Sequence, residues 1–500
     1  MSSVNAQPGD AQASEPATVA TEKDSVSGYR PVPGDDSSER DGSQQRDELP
    51  APTTMRGAAS EVFRVALPLM VSTGMFSIVL FADRTLLGFF DGVSMSASMA
   101  GGNLFWVLVC VPVGAASMTG AVIGQLIGNN EEHKIGRLLW QSLWMALITS
   151  PWFVVAGLYA EGLFTFAGQD PTLIPAEATY LRWLMLGGLG LVIESALSGF
   201  FSGTERTSVI MWVSIASGLL NVVLDVVLIF GFAGFPAMGI TGAAIGSVLA
   251  FWFKVVCYAA ILFKQEYRER YGMRSGFCFD MKVLWNFVYF SLPSGLMYLT
   301  EASSFTIIVL KIGQLGDIPL RATTMAINFN MIAFIPLVGV AIATSVLAGR
   351  HLLQNGPAFA MRTTIAALLI SLTYSLSWVA MYLAAGDWLL SLYRLGPTDP
   401  NSDAAIVIAS TLLGFVSAYV VFDAVQLILA AALKGAGDTW FVLLTGAIVS
   451  VSAIGIGILI DDHQDSLYLW WWVITAWIWT LAAAMAMRFI SGRWKSMRMV

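Results

Sequence analysis

The sequence predicts an all-α polytopic membrane protein with twelve transmembrane helices, arranged as two parallel six-helix lobes around a central cavity. Of its 500 residues, 56% are hydrophobic and 12% are charged, whereas about 25% are charged in an ordinary soluble domain. Apolar runs long enough to cross a bilayer recur along the chain, and the two halves of the chain share motifs in the same order. These observations exclude a soluble globular protein.

Residues 1–54 differ in composition from the rest of the chain. They hold ten acidic and four basic residues, with Tyr29 as the single aromatic. A segment with so little apolar surface cannot offset the entropy lost on ordering. We therefore predict a disordered cytoplasmic tail over 1–54, and the absence of a short apolar stretch near Met1 argues against a cleaved signal peptide.

Twelve apolar runs follow the tail. A bilayer core about 30 Å thick requires about 20 helical residues. The predicted spans are 63–86, 98–124, 138–160, 180–202, 208–231, 239–263, 284–311, 322–348, 360–384, 405–432, 438–460 and 467–489.

Basic residues orient these spans. Outside the predicted spans, the even-numbered connections and the C-terminal end hold thirteen Lys and Arg residues, and the odd-numbered connections hold two. Because short cytoplasmic loops are rich in Lys and Arg, we expect both termini to be cytoplasmic and the protein to lie in the plasma (inner) membrane. The predicted domains are an N-lobe (55–263), a cytoplasmic linker (264–283), a C-lobe (284–490) and a cytoplasmic C-terminal end (491–500).

An internal repeat relates the two halves. A shift of 225 residues places Leu67-Pro68 on Leu292-Pro293, and Gly114 and Gly124 on Gly339 and Gly349. Each half has an even number of spans, so the repeats are parallel, with a pseudo-twofold axis along the membrane normal. Two such lobes are suited to alternating access.

Acidic residues within the spans are the candidate site residues. A carboxylate in hydrocarbon is costly and marks a functional site by default. Asn221 and Asp225 lie four residues apart on one helix face, and their oxygens suit a sodium ion or a proton. The second half offers Asp423 and Gln426 at i and i+3, and Glu301 beside polar neighbours. The five acids are Asp83, Glu194, Asp225, Glu301 and Asp423.

Structural roles are the alternative for each acid, as a protonated or ion-paired residue that only joins helices. Asp83 stands beside Arg84, so a surface ion pair competes with a cation site. Glu194 has only Ser198 as a polar neighbour at helical spacing. Lys254 is expected to extend to the interface, and Trp470 to Trp472 to form an interfacial belt.

Other site types lack support in the sequence. The three cysteines and three histidines form no C-x-x-C or H-E-x-x-H spacing, so neither a disulfide framework nor a metal site is indicated. We expect no cofactor, no catalytic cluster and no nucleic-acid partner. The expected partners are the lipid bilayer and small organic substrates, and we expect the protein to act as a monomer.

The ordered motifs over about 60–490 resemble the multidrug and toxic compound extrusion (MATE) family, NorM-like branch. They are Ala66-Leu67-Pro68, Ala82-Asp83, Gly124-Gln125, Gly199 to Gly203, Asn221 to Asp225, Gly242 to Ala244, Leu292-Pro293 with Glu301, Asp423 to Gln426 and Gly435 to Thr439. The chain departs from the family pattern at Arg84 and at Arg350, which stands where Gln125 stands in the first half.

The resemblance implies an antiporter that exports organic, often cationic, compounds in exchange for sodium ions or protons. It implies an N-lobe cation site formed by Asp83, Asn221, Asp225 and Ser247. Glu301 and Asp423, with the neighbouring Gln426, would form the C-lobe site, and Glu194 is a possible further intramembrane acid. Alternatives are a lipid-linked oligosaccharide flippase of the same superfamily and a major facilitator transporter, although 126–137 lack the basic motif of the latter.

Overall fold

The computed structural model describes residues 54–169, 171–232, 234–391, 393, 400–461 and 466–499. Residues 1–53 of the predicted tail lie outside the described residues. The described part is built of α-helices and short 3-10 turns, with no β-strand in it. This agrees with the predicted fold class.

Within the described residues, twelve helices are long and apolar enough to span a membrane, and we number them spans 1 to 12 in chain order. They are Met55–Phe90, Val93–Gly128, Glu132–Leu158, Ile174–Gly203, Thr207–Phe230, Ile240–Leu262, Met281–Gly313, Ile318–Gln354, Pro357–Ser391, Asp403–Ala436, Thr439–Ile460 and Leu467–Ile490. We call the side of the bundle on which Met55 and Ile490 lie the terminal face, and the opposite side the far face. Several spans are longer than the apolar runs because their polar ends extend the helix.

Helix packing repeats with an offset of six spans. Within the first half, span 4 packs on spans 2, 3 and 6, and span 1 on span 5; within the second half, span 10 packs on spans 8, 9 and 12, and span 7 on span 11. Between the halves, span 1 packs on span 8 and span 2 on span 7. Each contact has its counterpart under a parallel twofold, as the repeat predicts.

Close backbone contacts at glycines follow the same twofold symmetry. A Cβ on Gly114 would lie 2.7 Å from Cα of Gly295, and a Cβ on Gly339 would lie 2.5 Å from the backbone nitrogen of Met70. The shift of 225 that relates Gly114 to Gly339 also relates Met70 to Gly295. The two lobes therefore meet through a symmetric pair of backbone contacts that only glycine permits.

The linker between the two halves packs against span 3. It contains a short helix, Gln265–Arg270, and its backbone accepts hydrogen bonds from span 3. Gly136 N donates to Tyr271 O at 2.8 Å, and Trp140 Nε1 donates to Met273 O at 2.9 Å. This segment ties the terminal end of span 3 to the start of span 7.

Asp91 connects spans 1 and 2 on the far face and caps span 2. Its carboxylate accepts from Ser94 N at 2.5 Å and from Ser94 Oγ at 2.6 Å. The Ser94 hydroxyl lowers the pKa of Asp91 below its ordinary value. The folded state therefore favours the ionised carboxylate.

We expect Asp91→Ala to lower the free energy of unfolding by about 1 kcal/mol, as loss of an N-cap does. Asp91→Asn keeps the cap and is the control. Because the folded-state pKa is depressed, the stabilisation by the charge is present above the unfolded-state pKa and is lost as pH falls through the folded-state value. Melting temperatures of the purified variants check this, and equal melting of Asp91→Ala and wild type would contradict it.

Two of the three consecutive tryptophans do not form an interfacial belt, so that prediction was wrong for them. Trp470 and Trp471 are fully buried, whereas Trp472 is exposed. The Trp470 indole lies against Gly457, whose missing side chain leaves room for it, and Trp471 Nε1 donates to Thr323 Oγ1 at 3.2 Å. They pack inside the second half instead.

Candidate functional site

Two carboxyl groups meet inside the first half of the bundle. Asp83 on span 1 is 5% exposed, and Asp225 on span 5 is fully buried. The two side chains are close enough to interact directly. Among the residues that the structure describes, no basic side chain forms an ion pair with Asp83 or with Asp225. Arg84, although adjacent to Asp83 in sequence, forms none either. Asp83 is therefore a member of a buried acid pair, and the surface ion pair considered above is wrong.

Oxygen and amide groups surround this pair. Ser247 Oγ on span 6 donates to Asp83 Oδ2 at 3.4 Å. Asn221, one turn before Asp225, is 1% exposed, and neither its Oδ1 nor its Nδ2 has a hydrogen-bond partner. Apart from the Asp83 carboxyl group, neither Asp225 oxygen has a hydrogen-bond partner among the described residues. Buried polar atoms are nearly always hydrogen-bonded in a folded protein, so this cluster has unfilled capacity for a small cation, a proton or water.

Tyr180 is a site residue that the sequence did not reveal. It is 6% exposed on span 4 and lies within electrostatic range of both carboxyl groups. Since a lone tyrosine near a span end is typical of the bilayer interface, its sequence position gave no signal. With it, each of spans 1, 4, 5 and 6 contributes to what we call the N-lobe site: Tyr180, Asp83, Asn221, Asp225 and Ser247.

Gly246 lets span 6 approach Asp225. A Cβ at this position would lie 2.4 Å from Asp225 Oδ1, which is closer than a carbon and a non-bonded oxygen can approach. We expect Gly246→Ala to displace the carboxyl group and to lower, by about tenfold, the transport that the family resemblance implies. Gly102→Ala is the matched control, because nothing lies within 4 Å of its Cβ position. Equal transport by the two variants would show that the position of Asp225 is not critical.

The acids of the second half are placed differently. Glu301 on span 7 and Asp423 on span 10 are half-buried, and Gln426 is 6% exposed. Glu301 lies near the Gln426 side chain and within electrostatic range of Asp423 and Lys434. Spans 7 and 10 are not among the closely packed pairs of spans, and both carboxyl groups keep part of their surface exposed. The predicted C-lobe residues are thus brought together, with Lys434 as a neighbour that the sequence did not indicate.

Glu194 does not join the N-lobe site. It pairs with Lys254 across spans 4 and 6, with 3.7 Å between Oε1 and Nζ, and both side chains are largely buried. Of the two roles considered for Glu194, the geometry favours the ion-paired one, and the expectation for Lys254 was wrong, because its ammonium points to Glu194 rather than to the interface. The sequence concealed this pair because its members lie 60 residues apart.

Polar contacts join the two lobes at the terminal face. Gln125 Nε2 on span 2 donates to Gly435 O at 2.8 Å, and Gln125 Oε1 accepts from Met499 N at 2.8 Å. Arg350 on span 8 forms an ion pair with Glu205. His351 Nε2 lies 3.0 Å from a Glu61 carboxylate oxygen. In this conformation the lobes are therefore closed against each other on the terminal side.

Comparisons with known proteins agree with this architecture. A family model described as MatE matches residues 68–227 and 293–461. A probable multidrug resistance protein NorM from Xanthomonas campestris pv. campestris is 28% identical over 382 residues, covering 75% of this chain and 81% of that protein. The multidrug resistance protein NorM of Burkholderia vietnamiensis is 26% identical, covering 88% and 95%.

Solved structures share the fold. A crystal structure of a eukaryotic MATE transporter superposes with a TM-score of 0.79 at 18% identity, covering 88% of this chain and 97% of that chain. An outward-facing conformation of a multidrug resistance MATE family transporter gives 0.78 at 19% identity, covering 88% and 98%. At this identity the likeness concerns the fold, and it extends over nearly the whole length of both structures.

Proposed function

The chain belongs to the MatE family, and from this membership and the N-lobe site we propose that it is a multidrug antiporter that expels organic, often cationic, compounds in exchange for inward-moving sodium ions or protons. The observation that carries the proposal is the buried pair Asp83 and Asp225, which has no basic partner among the described residues. Two neighbouring buried carboxylates cannot both stay ionised without a compensating cation. The site therefore requires a bound cation or proton when it is closed.

Exchange follows if the cation and the substrate favour different lobe orientations. A ligand shifts a conformational equilibrium only by its differential affinity for the two states. Cation release leaves repulsion within the N-lobe site, and cation binding relieves it. The half-buried Glu301 and Asp423 supply negative charge that attracts an organic cation.

The terminal face is cytoplasmic in this proposal, as the distribution of basic residues favours. The chain is an integral membrane protein, and we place it in the inner membrane as a monomer whose two lobes suffice for alternating access. The closed terminal face then corresponds to a state that opens to the outside. Sodium or a proton is the coupling ion, and no cofactor is required.

The test is ethidium transport by the full-length protein. Ethidium is added to inverted membrane vesicles, and a proton gradient or, in a separate experiment, a sodium gradient is imposed across their membrane. Ethidium fluorescence reports uptake into the vesicles. We expect uptake under at least one gradient and none in vesicles lacking the protein. Absence of uptake under both gradients, and with other organic cations, would overturn the proposed function.

We expect Asp423→Asn and Glu301→Gln each to abolish gradient-driven efflux while the protein remains folded and inserted. Both substitutions keep the shape and remove the charge that attracts a cationic substrate and couples its exit to cation entry. Efflux from proteoliposomes under an imposed gradient measures this, with size-exclusion chromatography as the check on folding. Wild-type efflux by both variants would make these acids structural and leave coupling to the N-lobe site.

A further inference from the structure

The first lobe contains a second polar layer, nearer the terminal face than the N-lobe site. It consists of the Glu194–Lys254 ion pair, the buried Tyr258, and Ser72 and Ser214, whose hydroxyl oxygens lie 2.6 Å apart. The Tyr258 hydroxyl is buried, faces the Ser214 side chain and lies within electrostatic range of Glu194. Spans 1, 4, 5 and 6 supply this layer, which are the same four helices that supply the N-lobe site.

The two layers are in register along these helices. Three spans carry one member of each layer eleven residues apart, about three helical turns or 16 Å along the axis. These pairs are Ser72 and Asp83, Ser214 and Asp225, and Tyr258 and Ser247. The polar groups of each helix therefore follow one interior face from the N-lobe site toward the terminal face.

Further polar groups occupy the depth between the layers. Ser217, 2% exposed, donates through Oγ to Ala250 O at 3.0 Å. The Ser77 hydroxyl and both polar atoms of the Asn221 side chain are buried and unpartnered. Groups of this kind are usually satisfied by internal water, and chains of carboxylic acids and water carry protons in transporters.

We infer that Glu194 is the acceptor through which the first lobe passes its coupling proton to the terminal face, and that Lys254 positions and resets it. A proton leaving Asp225 or Asp83 passes along the intervening water and hydroxyl groups and converts the Glu194 carboxylate to the acid. No bond between heavy atoms changes. The ion pair thereby goes from neutral to a net positive charge beside Lys254, which favours release of the same proton toward the terminal face. This inference rests on the proposed function and names its coupling ion.

The pair also disfavours sodium on this route. A proton is passed on by exchanging O–H bonds between neighbouring oxygens, whereas a sodium ion must travel as a whole ion and needs several oxygen ligands at each position. At the second layer the Lys254 ammonium already occupies the Glu194 carboxylate. The titratable groups that face one another here are Glu194, Lys254, Tyr258 and the half-buried Cys257. Glu194 is the carboxylate among these four groups, and it is the acceptor in the proposed relay.

The test compares the double variant Glu194→Gln/Lys254→Met with wild type in proteoliposomes. Removing both members leaves no unpaired buried charge, so a merely structural pair is replaced without loss. We expect proton flux, read from an internal pH-sensitive dye during ethidium efflux, to fall about tenfold. Ethidium–ethidium exchange, which needs alternating access without a net proton flux, is expected to remain.

The control is Glu161→Gln/Arg182→Met, which removes an exposed ion pair at the far-face end of the same lobe and should leave both readouts unchanged. Equal proton flux in wild type and in the Glu194/Lys254 double variant would overturn the relay. Efflux by wild type driven by sodium and not by protons would also overturn it while leaving the proposed function intact. Failure of wild type to move ethidium under either gradient would instead reject the proposed function.

Discussion

Asp225→Asn is expected to abolish gradient-driven ethidium efflux and to leave the protein at least as stable as wild type. Asparagine has nearly the same shape but can neither release a proton nor balance a bound cation. Allosteric coupling energies are about 1–3 kcal/mol, or roughly 5- to 150-fold, and we expect a loss at the upper end of this range. The loss is large because Asp225 is fully buried and no basic side chain of the described residues compensates its charge.

Stability distinguishes a coupling site from a structural one. Burying two adjacent carboxyl groups costs free energy, so neutralising one relieves the folded state and is expected to raise the melting temperature. An acid that only joins helices would instead destabilise the protein when it is replaced. Asp83→Asn should behave in the same way as Asp225→Asn, because both carboxyl groups share one cation or proton.

Asp387→Asn is the matched control, since it makes the same chemical change at an exposed position within span 9. Efflux and melting temperature of this variant should equal those of wild type. Retained coupled efflux in Asp225→Asn, or a lower melting temperature together with lost expression, would contradict the assignment of the N-lobe site as the coupling site.

The fold was predictable because it depends on patterns that the sequence displays directly. Apolar runs fix the number of spans, and the repeat at 225 residues fixes their parallel arrangement. Gly114 and Gly339 carried that symmetry in the sequence, and their packing against Gly295 and Met70 shows why the positions require glycine.

The site was only partly predictable, since helical spacing relates residues on one helix and not on different helices. Asn221 and Asp225 could be grouped by their i, i+4 spacing. The ion pair of Glu194 with Lys254 depends on how spans 4 and 6 are rotated and so could not be read from spacing. The same limit applies to Arg84, whose adjacency to Asp83 in sequence suggested a pair that the structure does not form.

Arg350 shows how a departure from the family pattern acquires a structural meaning. Under the repeat it is the counterpart of Gln125, and both residues bridge the lobes at the terminal face in opposite directions. Gln125 extends from the first lobe to Gly435, whereas Arg350 extends from the second lobe to Glu205. Glu205 and Gly435 lie in the corresponding turns, Ser202 to Thr207 and Lys434 to Thr439. The arginine therefore replaces a neutral bridge by a charged one.

We expect Arg350→Glu to slow ethidium efflux by about tenfold or more, because two half-buried carboxylates would then repel each other where the lobes must close. The exchanged pair Glu205→Arg/Arg350→Glu restores the attraction and is expected to recover most of the lost rate. The measurement for both variants is ethidium efflux under whichever ion gradient, proton or sodium, drives efflux by the wild type. Arg362→Glu, at another basic residue near the same face, is the control for adding negative charge there. If the exchanged pair transported ethidium as slowly as Arg350→Glu, the ion pair would not be what holds the terminal face closed. The close backbone contacts of Gly124 with Val346 and of Gly128 with Arg350 would then account for the closure.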